Sequence, residues 1–548
     1  MPVISVNSDE LLDLTRSDEV TLLDVLPKIG IEIEKIEGEE WELEVDPNRC
    51  DLLSVEGIGR AVRGFLGKET GLPEYETRSS EIITEVELSV QDVRPYIVSA
   101  LVKDIDLSDS ILESMMDLQE KLHLTLGRNR SKVAIGVHDL EPIEPPLTYK
   151  AVKPDEISFL PLEKSIEMNL QEILEKHDKG KKFAHILKDK ERYPIILDSK
   201  DDVLSFPPVI NGQMTQVTPE TDSLFIDMTG TDMRSLEQTL NILCTMFAER
   251  GAEIYTTEVK YGNRSITYPD FTPQEMEISP SECEKILGVE IGKKNILEIL
   301  KKMRYSVEKR EKNIEVKIPA YRHDILHPWD IIEDIAIGFD YDNFDGTLPE
   351  EVTLGKSLEG SNLRETITEL LIGYGFNETM NYILTSPEKE FKYMQKEREY
   401  EIARVENPVS EGSVSLRSWL LPVLLNNLKE NKTQSLPRKL FEIGDIVLPN
   451  NQKTKVAGLI QSSDAGFTKM KSILDGLVTN LGFEMTVETE KHPSFIKGRC
   501  AALLVEDEKI GYFGEISPKV LENFNLENPV VGFEMDFETI KEIKKGSL

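Results

Sequence analysis

Four carboxylates are concentrated in the segment HDILHPWDIIEDIAIGF. Asp330, Glu333 and Asp334 fall on one face of a helix predicted to begin at Pro328, and Asp324 lies in the loop that leads into this helix. Carboxylate oxygens gathered at one helix end suit a hard divalent cation. The same pattern is also typical of a solvated acidic face at a helix N-terminus. The residues alone leave both interpretations open.

A second group of polar residues lies in PPVINGQMTQVTPETDSLFIDMTGTD. The predicted strand LFIDMT places Asp227 and Thr229 on one face and ends at Gly230, and the pair Asn211 and Gly212 is typical of a tight turn. An inward-facing Asp and Thr beside a turn would line a small polar pocket. The alternative is a capped turn next to a solvent-facing strand edge.

Two short basic stretches are a third candidate. LGRNRSK is the first, and the second surrounds Gly180. Clustered cations in an acidic chain would contact phosphate, although solvated turns explain such clusters more often. The cations of these stretches are Arg128, Arg130, Lys132, Lys179, Lys181 and Lys182.

Several catalytic motifs are missing from the sequence. It has no GxxxxGK[ST] loop, no GxGxxG after a strand, no GxSxG and no HExxH. The sequence therefore gives no support to a self-contained ATPase, dehydrogenase, serine hydrolase or zinc protease.

The composition is that of a globular protein with several cores. The chain has 548 residues, 39% of them hydrophobic, and a formal net charge of −36. This charge argues against broad non-specific binding to nucleic acid, but not against a local basic groove. The longest apolar stretch of the chain, residues 419–425, is much shorter than the roughly 20 residues that a membrane span requires. No signal peptide is predicted, and four scattered cysteines without a CxxC pair favour the cytoplasm.

The predicted helices and strands indicate a multidomain α+β protein with four regions. They are an N-terminal α/β module over 1–80, an α+β domain over 86–268, a helix–strand–helix module over 269–348 and a mostly antiparallel sheet with helices over 355–548. IGIEIEKI and EWELEVD alternate as the two strands of a hairpin. The polar segment 70–81 is predicted to be a linker.

Seven segments in the same order resemble the β subunit of phenylalanyl-tRNA synthetase, in its archaeal and eukaryotic form. The resemblance covers nearly the whole chain, without an inserted OB-fold module or an additional anticodon-binding domain. The segments are DPNRCDLLSVEGIGRAV, IGVHDL, PPVINGQMTQVTPETDSLFIDMTGTD, IPAYRHDILHPWDIIEDIAIGFDYDN, NPVSEGSVSLRSWLLPVLLNNL, KLFEIGDIV and GYFGEISP.

The resemblance implies an architecture and an activity. The family forms α2β2 tetramers that join phenylalanine to tRNA(Phe) with ATP, and the α subunit carries the synthetic site. By resemblance, 86–268 is a B3/B4-type editing domain that hydrolyses Tyr-tRNA(Phe), and 269–348 is a winged-helix-like B5 domain. The region 355–548 is a degenerate class II synthetase core, because Phe441 and Glu442 match a class II strand motif while no GxGxxR-type motif follows.

The resemblance also assigns site residues. The family's Mg²⁺ site, shared with the α subunit, falls on Asp324, Asp330, Glu333 and Asp334. Its editing pocket falls in the region of Asn211, Gly212, Asp227 and Thr229. We expect Asp227 to accept a hydrogen bond from the tyrosine phenol and Thr229 to orient the substrate or a water. Two other functions stay open: a stand-alone editing hydrolase and a non-catalytic nucleic-acid-binding adaptor.

Overall fold

The protein is described by a computed structural model over residues 2–349, 353–397, 402–410 and 412–546. The chain separates into two compact units, Met1–Leu348 and Pro349–Leu548. The first unit contains an N-terminal three-stranded sheet, a large mixed sheet and a second three-stranded sheet. The second unit is built on a seven-stranded sheet. The division into four domains remains a prediction.

The N-terminal module packs its helices on a small antiparallel sheet of order β1-β3-β2. The predicted hairpin is confirmed, since β2 and β3 pair antiparallel across a two-residue turn. Trp41, Leu43 and Val45 alternate inward on β3, which gives the sheet one buried face. The elements are β1 (Val3–Asn7), α1 (Ser8–Thr15), α2 (Glu19–Lys28), β2 (Ile31–Glu37), β3 (Glu40–Val45) and α3 (Val55–Phe65).

The large sheet has ten strands in the order β12-β11-β10-β7-β4-β14-β5-β13-β6, with β15 paired to β14. Its strands are β4 (Thr77–Val86), β5 (Tyr96–Lys103), β6 (Val133–Asp139), β7 (Leu147–Val152), β10 (Tyr193–Leu197), β11 (Val203–Phe206), β12 (Ile210–Asn211), β13 (Ser223–Gly230), β14 (Glu253–Tyr261) and β15 (Arg264–Tyr268). The short strands β8 (Ser158–Phe159) and β9 (Met168–Asn169) pair separately. The helices are α4 (Asp109–Leu124), α5 (Leu170–Lys176), α6 (Asp178–Phe183) and α7 (Met233–Glu249).

Strand β13 lies in the interior of this sheet, hydrogen-bonded to β5 on one side and β6 on the other. All its residues from Leu224 to Gly230 are buried. The alternative of a solvent-facing strand edge is therefore wrong. The linker prediction is wrong for 77–81, because these residues begin β4, which pairs parallel with β14.

The third module of the first unit packs three helices against a sheet of order β16-β18-β17. Helix α8 has Pro280 in its first turn and ends at Gly288, whose φ of 72° lies in the left-handed region that glycine tolerates. The elements are β16 (Gln274–Ile278), α8 (Pro280–Leu287), α9 (Lys293–Lys302), β17 (Ser306–Lys309), β18 (Ile314–Ile318) and α10 (Pro328–Phe339).

The second unit has a sheet of order β19-β22-β23-β27-β26-β25-β24, antiparallel except for the pair β19 and β22. The strands of this unit, inside and outside that sheet, are β19 (Asn377–Glu378), β20 (Leu384–Thr385), β21 (Ser415–Leu416), β22 (Arg438–Leu448), β23 (Asn451–Gln461), β24 (Met485–Thr489), β25 (Phe495–Val505), β26 (Glu508–Ile516) and β27 (Val530–Asp536). Its helices are α11 (Ser361–Gly373), α12 (Leu421–Glu430), α13 (Phe467–Asn480), α14 (Pro518–Asn523) and α15 (Phe537–Gly546). No helix in the described ranges of either unit is long and apolar enough to cross a bilayer.

Candidate functional site

A cavity of about 480 Å³ lies against the end of β13 in the large sheet. Leu112 and Met115 of α4 and Ile135 of β6 give it an apolar wall, while Asp227 and Thr229 give it a polar one. Apolar walls with a few fixed polar groups are typical of small-molecule sites. The predicted sharing of one strand face by Asp227 and Thr229 is confirmed, because both side chains line this cavity.

Asp227 is held in place by a histidine from the neighbouring strand. Its Oδ2 lies 2.7 Å from Nε2 of His138, and Nδ1 of His138 lies 2.7 Å from Oγ1 of Thr215. All three residues are buried. A neutral imidazole can donate from Nε2 to the carboxylate while Nδ1 accepts from the threonine hydroxyl. In the described part of the chain Oδ1 of Asp227 makes no hydrogen bond, so it can accept one from a ligand.

Gly136 leaves the space that the Asp227 carboxylate occupies. The two residues are directly opposite in the pairing of β6 and β13. A Cβ on Gly136 would lie 2.3 Å from Oδ2 of Asp227 and 2.8 Å from Nε2 of His138. Any side chain at this position would therefore displace the carboxylate or the imidazole.

Thr229 is fixed from behind by a buried arginine. Arg94 donates from Nε to Oγ1 of Thr229 at 2.8 Å and from a terminal nitrogen to the Thr229 carbonyl at 2.6 Å. Its third bond goes to the Ser131 carbonyl at 3.2 Å. These partners are neutral oxygens, and burial lowers the pKa of Arg94 to about 10. Arg94 thus orients the Thr229 hydroxyl and places a positive charge behind the polar wall.

The structure separates the two residues of the predicted Asn–Gly turn. Asn211 lines the cavity, and its amide donates to the Val137 carbonyl at 3.2 Å. Gly212 does not line it: a Cβ there would lie 2.4 Å from the Val203 carbonyl oxygen, so the glycine permits close strand packing. The tight-turn prediction is wrong, because Gly212 has φ −73° and the chain reverses before Asn211, between β11 and β12.

Sequence reasoning found part of this pocket and missed its partners. No histidine lies near Asp227 in the sequence, and His138 is 89 residues away. Arg94 is 135 residues from Thr229. The segment IGVHDL, one of the seven that carry the family resemblance, contains His138, which lies within β6.

The four acids around α10 do not form one exposed face. Arg322 binds Asp324 through Nε and a terminal nitrogen, at 2.9 and 2.7 Å, and Asp334 through its other terminal nitrogen, at 2.6 Å. The Tyr305 hydroxyl also donates to Asp334. Asp334 is buried, so it does not belong to a solvated acidic face.

The other two acids have separate environments. Asp330 caps its helix, because its Oδ2 accepts from the backbone N–H groups of Leu326 and His327, both at 2.7 Å. The side chain of Glu333 is largely exposed. Its pKa is raised by the desolvation of its less exposed part and by the negative charges of the neighbouring acids. Within the described ranges no three of the four acids bring ligand oxygens within 4.8 Å of one another. As arranged here they do not form a chelating set, and Arg322 already balances two of them.

Comparison with known proteins gives long, nearly full-length matches. The phenylalanine–tRNA ligase beta subunit of Methanocaldococcus jannaschii is 43% identical, with 98% of this chain and 100% of the relative covered. That of Methanosarcina acetivorans is 41% identical, with 98% and 99% covered.

The chain belongs to the phenylalanine–tRNA ligase beta subunit family.

Domain matches divide the beta subunit further. Residues 105–258 match the B3/4 domain, 276–341 match the tRNA synthetase B5 domain and 345–537 match the phenylalanyl tRNA synthetase beta chain CLM domain. An N-terminal fragment of the Pyrococcus horikoshii phenylalanyl-tRNA synthetase beta subunit is 40% identical, with a TM-score of 0.60 over 62% of this chain and 99% of the fragment. Asp227, Thr229 and His138 thus lie in the B3/4 match, and the Arg322 cluster lies in the B5 match.

The CLM region of this beta subunit uses its buried charges internally. Glu442, on strand β22, binds Arg417 at 2.7 Å and Asn381 at 2.7 Å. Glu442 and Arg417 are both buried. The Glu534 carboxylate accepts from the backbone N–H groups of Leu420 and Leu421 at 2.9 and 3.2 Å. These groups satisfy one another and stabilise the sheet and α12.

Proposed function

We propose that this chain edits tRNA within an α2β2 phenylalanine–tRNA ligase. In this proposal the α subunit forms phenylalanyl-adenylate from ATP and phenylalanine and charges tRNA(Phe). The present chain then hydrolyses Tyr-tRNA(Phe) in the cavity beside β13. The observation that carries the proposal is Asp227, a buried carboxylate with one oxygen held by His138 and the other available to a ligand in the cavity.

The need for such a pocket follows from limits on binding energy. Tyrosine is phenylalanine with one added hydroxyl, and an apolar pocket rejects such an isostere by only ~10². A second site that requires the hydroxyl improves the discrimination. A buried hydroxyl without a partner costs about 1–3 kcal/mol, so the pocket must supply an acceptor. Oδ1 of Asp227 is that acceptor, and the apolar wall of Leu112 and Met115 receives the ring.

The supporting residues have separate tasks. His138 fixes the orientation of the carboxylate, and Thr215 fixes the imidazole. Arg94 leaves the hydroxyl hydrogen of Thr229 free to donate to the substrate or to a water. Phenylalanine has no hydroxyl that could donate a hydrogen bond to Asp227, so correctly charged tRNA does not make this contact.

The decisive experiment uses the assembled enzyme carrying Asp227→Ala. We expect near-normal charging with phenylalanine and a tenfold to hundredfold slower deacylation of Tyr-tRNA(Phe), which corresponds to about 1–3 kcal/mol. Asp222→Ala removes an exposed acid just before the same strand and should leave both rates unchanged. Unchanged deacylation by Asp227→Ala would place the pocket elsewhere.

The proposed division of labour has its own test. Because Glu442 and Arg417 bind each other and no phosphate-binding loop exists, the purified chain alone should give no ATP–pyrophosphate exchange with phenylalanine. Adding the α subunit should restore it. Exchange by the chain alone would contradict a non-catalytic CLM region.

A magnesium ion shared with the α subunit remains a proposal for Asp324, Asp330, Glu333 and Asp334. Glu333 and the second oxygen of Asp330 are the groups available to it, since Arg322 holds the other two acids. Glu333→Gln should weaken Mg²⁺ binding by the assembled enzyme in calorimetric titration. Glu311→Gln, at an exposed turn, is the control. Equal affinity in both variants would argue against the site.

A second candidate function is that of an editing hydrolase that acts without the α subunit. The hydrogen bonds that orient Asp227 and Thr229 come from His138 and Arg94 of the same chain, so this polar wall does not depend on a partner for its orientation. Assaying the isolated chain distinguishes an independent hydrolase from an obligate subunit.

We place the protein in the cytoplasm, which its four unpaired, buried cysteines support.

A further inference from the structure

The two basic stretches of the sequence meet at the mouth of the cavity. Arg130, from the turn before β6, and Lys179, from α6, both line it. The guanidinium carbon of Arg130 lies 4.4 Å from the centre of the Phe183 ring, and Nζ of Lys182 lies 5.2 Å from the same centre. Segments about 50 residues apart thus form one cationic rim, composed of residues 128–130 and 179–183.

Part of this rim is not neutralised. Arg130 binds Glu120 at 2.6 Å, and Lys179 lies 3.5 Å from Glu163. Arg128, Lys181 and Lys182 are exposed, and among the described residues none of the three has a carboxylate within 4.0 Å. Residues 176–192 contain seven Lys or Arg against three Asp or Glu, in a chain of net charge −36. Free cations concentrated at one cavity in so acidic a chain point to an anionic ligand.

The turn that carries Arg130 is conformationally unusual. Arg128, Asn129 and Arg130 have φ of 45°, 53° and 66°, three consecutive non-glycine residues in the left-handed region. Such conformations cost free energy and concentrate at functional sites. Arg130 also donates to the Val209 carbonyl at 3.2 Å, while its buried Nε has no partner among the described residues. The turn thereby directs one arginine into the cavity wall and leaves Arg128 outside it.

The shape of the site selects the ligand. The cavity of about 480 Å³ accommodates a ligand of small-molecule size, so only the terminal residue of a nucleic acid can enter. The phosphates that precede that residue must lie along the rim. A single strand can bend into such an opening, whereas a duplex cannot, and lysine and arginine contact its backbone without reading its sequence.

We infer that residues 128–130 and 179–183 form the entry surface for the single-stranded 3′ end of tRNA. Its phosphates bind Arg128, Lys181 and Lys182, while the terminal aminoacyl group reaches Asp227. This inference rests on the proposed editing function and assigns the surface through which that site receives its substrate.

The test is deacylation of Tyr-tRNA(Phe) by the assembled enzyme carrying K181A/K182A. We expect KM to rise about tenfold and kcat to stay within twofold, because the removed groups bind phosphates and do not touch the reacting bond. The slope of log(kcat/KM) against log salt should become shallower by about 1.4, since each single-strand phosphate contact contributes about 0.7. K181R/K182R keeps the charge and should retain the wild-type KM.

A matched control changes the same charge elsewhere. K294A/K312A removes two exposed lysines from the 276–341 domain and should leave KM and the salt slope unchanged. A K181A/K182A enzyme with wild-type KM and slope would overturn the inference, and so would an equal rise in KM in the control.

Failure of the editing function can be told apart from failure of this inference. If the wild-type enzyme does not deacylate Tyr-tRNA(Phe), the proposed function is wrong. Binding of a fluorescent acceptor-stem minihelix with its single-stranded 3′ end to the full-length chain then decides the entry surface. About tenfold weaker binding by K181A/K182A, but not by K294A/K312A, supports the surface, and equal binding refutes it.

Discussion

Asp227 and Asp334 are both buried carboxylates, but their surroundings give them different capacities. Asp227 shares one oxygen with the His138 imidazole and faces a cavity with the other. Asp334 accepts from both Arg322 and Tyr305. Arg322 is itself buried, and it also binds Asp324.

The difference shows that burial of an acid does not by itself indicate a site. A guanidinium keeps its charge at any ordinary pH, so the Arg322 cluster is a closed ion network. No described residue hydrogen-bonds to Oδ1 of Asp227, and the adjacent cavity admits a ligand. The charges of the Arg322 cluster stabilise the fold, whereas the Asp227 carboxylate keeps one oxygen available for recognition.

The largest expected effect comes from removing Arg322, which holds the ion network together. Arg322→Met removes the guanidinium that binds both Asp324 and Asp334, and we expect a loss of about 3–5 kcal/mol in unfolding free energy. Calorimetric unfolding measures it. Adding Asp324→Asn and Asp334→Asn should recover most of the loss. A triple variant as unstable as Arg322→Met would mean that the arginine acts by packing rather than by charge.

Gly136→Ala should disable the cavity beside β13 without unfolding the protein. Its Cβ would lie 2.3 Å from Oδ2 of Asp227, so the carboxylate must turn away from the cavity. We expect Tyr-tRNA(Phe) deacylation by the assembled enzyme to fall about 100-fold, about 2.7 kcal/mol, with normal phenylalanine charging. Gly373→Ala, where a Cβ meets open space, is the control. Equal deacylation in both variants would show that the Asp227 position is unimportant.

Mild acid should weaken the pocket region through His123. His123 accepts from the Ile135 N–H at 2.8 Å, and burial lowers the pKa of His123 to about 4. Between pH 6.5 and 4 the unfolded chain binds a proton that the folded chain refuses, so stability falls as pH falls, by about 2 kcal/mol from pH 7 to 5. Calorimetry should show a smaller loss for His123→Gln over this interval.

Asp324 of the ion network should respond at lower pH than His123. Burial opposes ionisation of Asp324, yet Arg322 holds the pKa of Asp324 below its ordinary value. Stability from this acid is therefore present above about pH 4 and lost as pH falls through its folded pKa. If wild type and His123→Gln lose the same stability between pH 7 and 5, another group governs the pocket region.

The smallest effect concerns Asp330, which borders the closed network. Asp330→Ala removes a helix cap and should cost about 1 kcal/mol without metal, while Asp330→Asn keeps an acceptor and should cost less. If Asp330 also binds Mg²⁺, both variants should lose part of the Mg²⁺-dependent stabilisation of the assembled enzyme, measured by calorimetry with and without EDTA. Wild-type stabilisation by Mg²⁺ in both would contradict a ligand role.

Local patterns in the sequence determined most of the helices and strands. The alternation of LFIDMT predicted β13 and the shared face of Asp227 and Thr229. Strand and helix periods are properties of neighbouring residues, so the sequence contains them directly. The family resemblance also rested on ordered local motifs.

Only the tertiary structure decided which groups meet. The registers of β6 and β13 bring His138 to Asp227, and the sheet brings Arg94 to Thr229. Arg322 lies 12 residues from Asp334 in the sequence, but only the fold of the loop before α10 turns it onto that acid. The Asn211–Gly212 turn prediction was wrong because pairing of β12 with β11 outweighs a local turn preference. Long-range pairing leaves no periodic signal in a single sequence, since it depends on how separate elements pack.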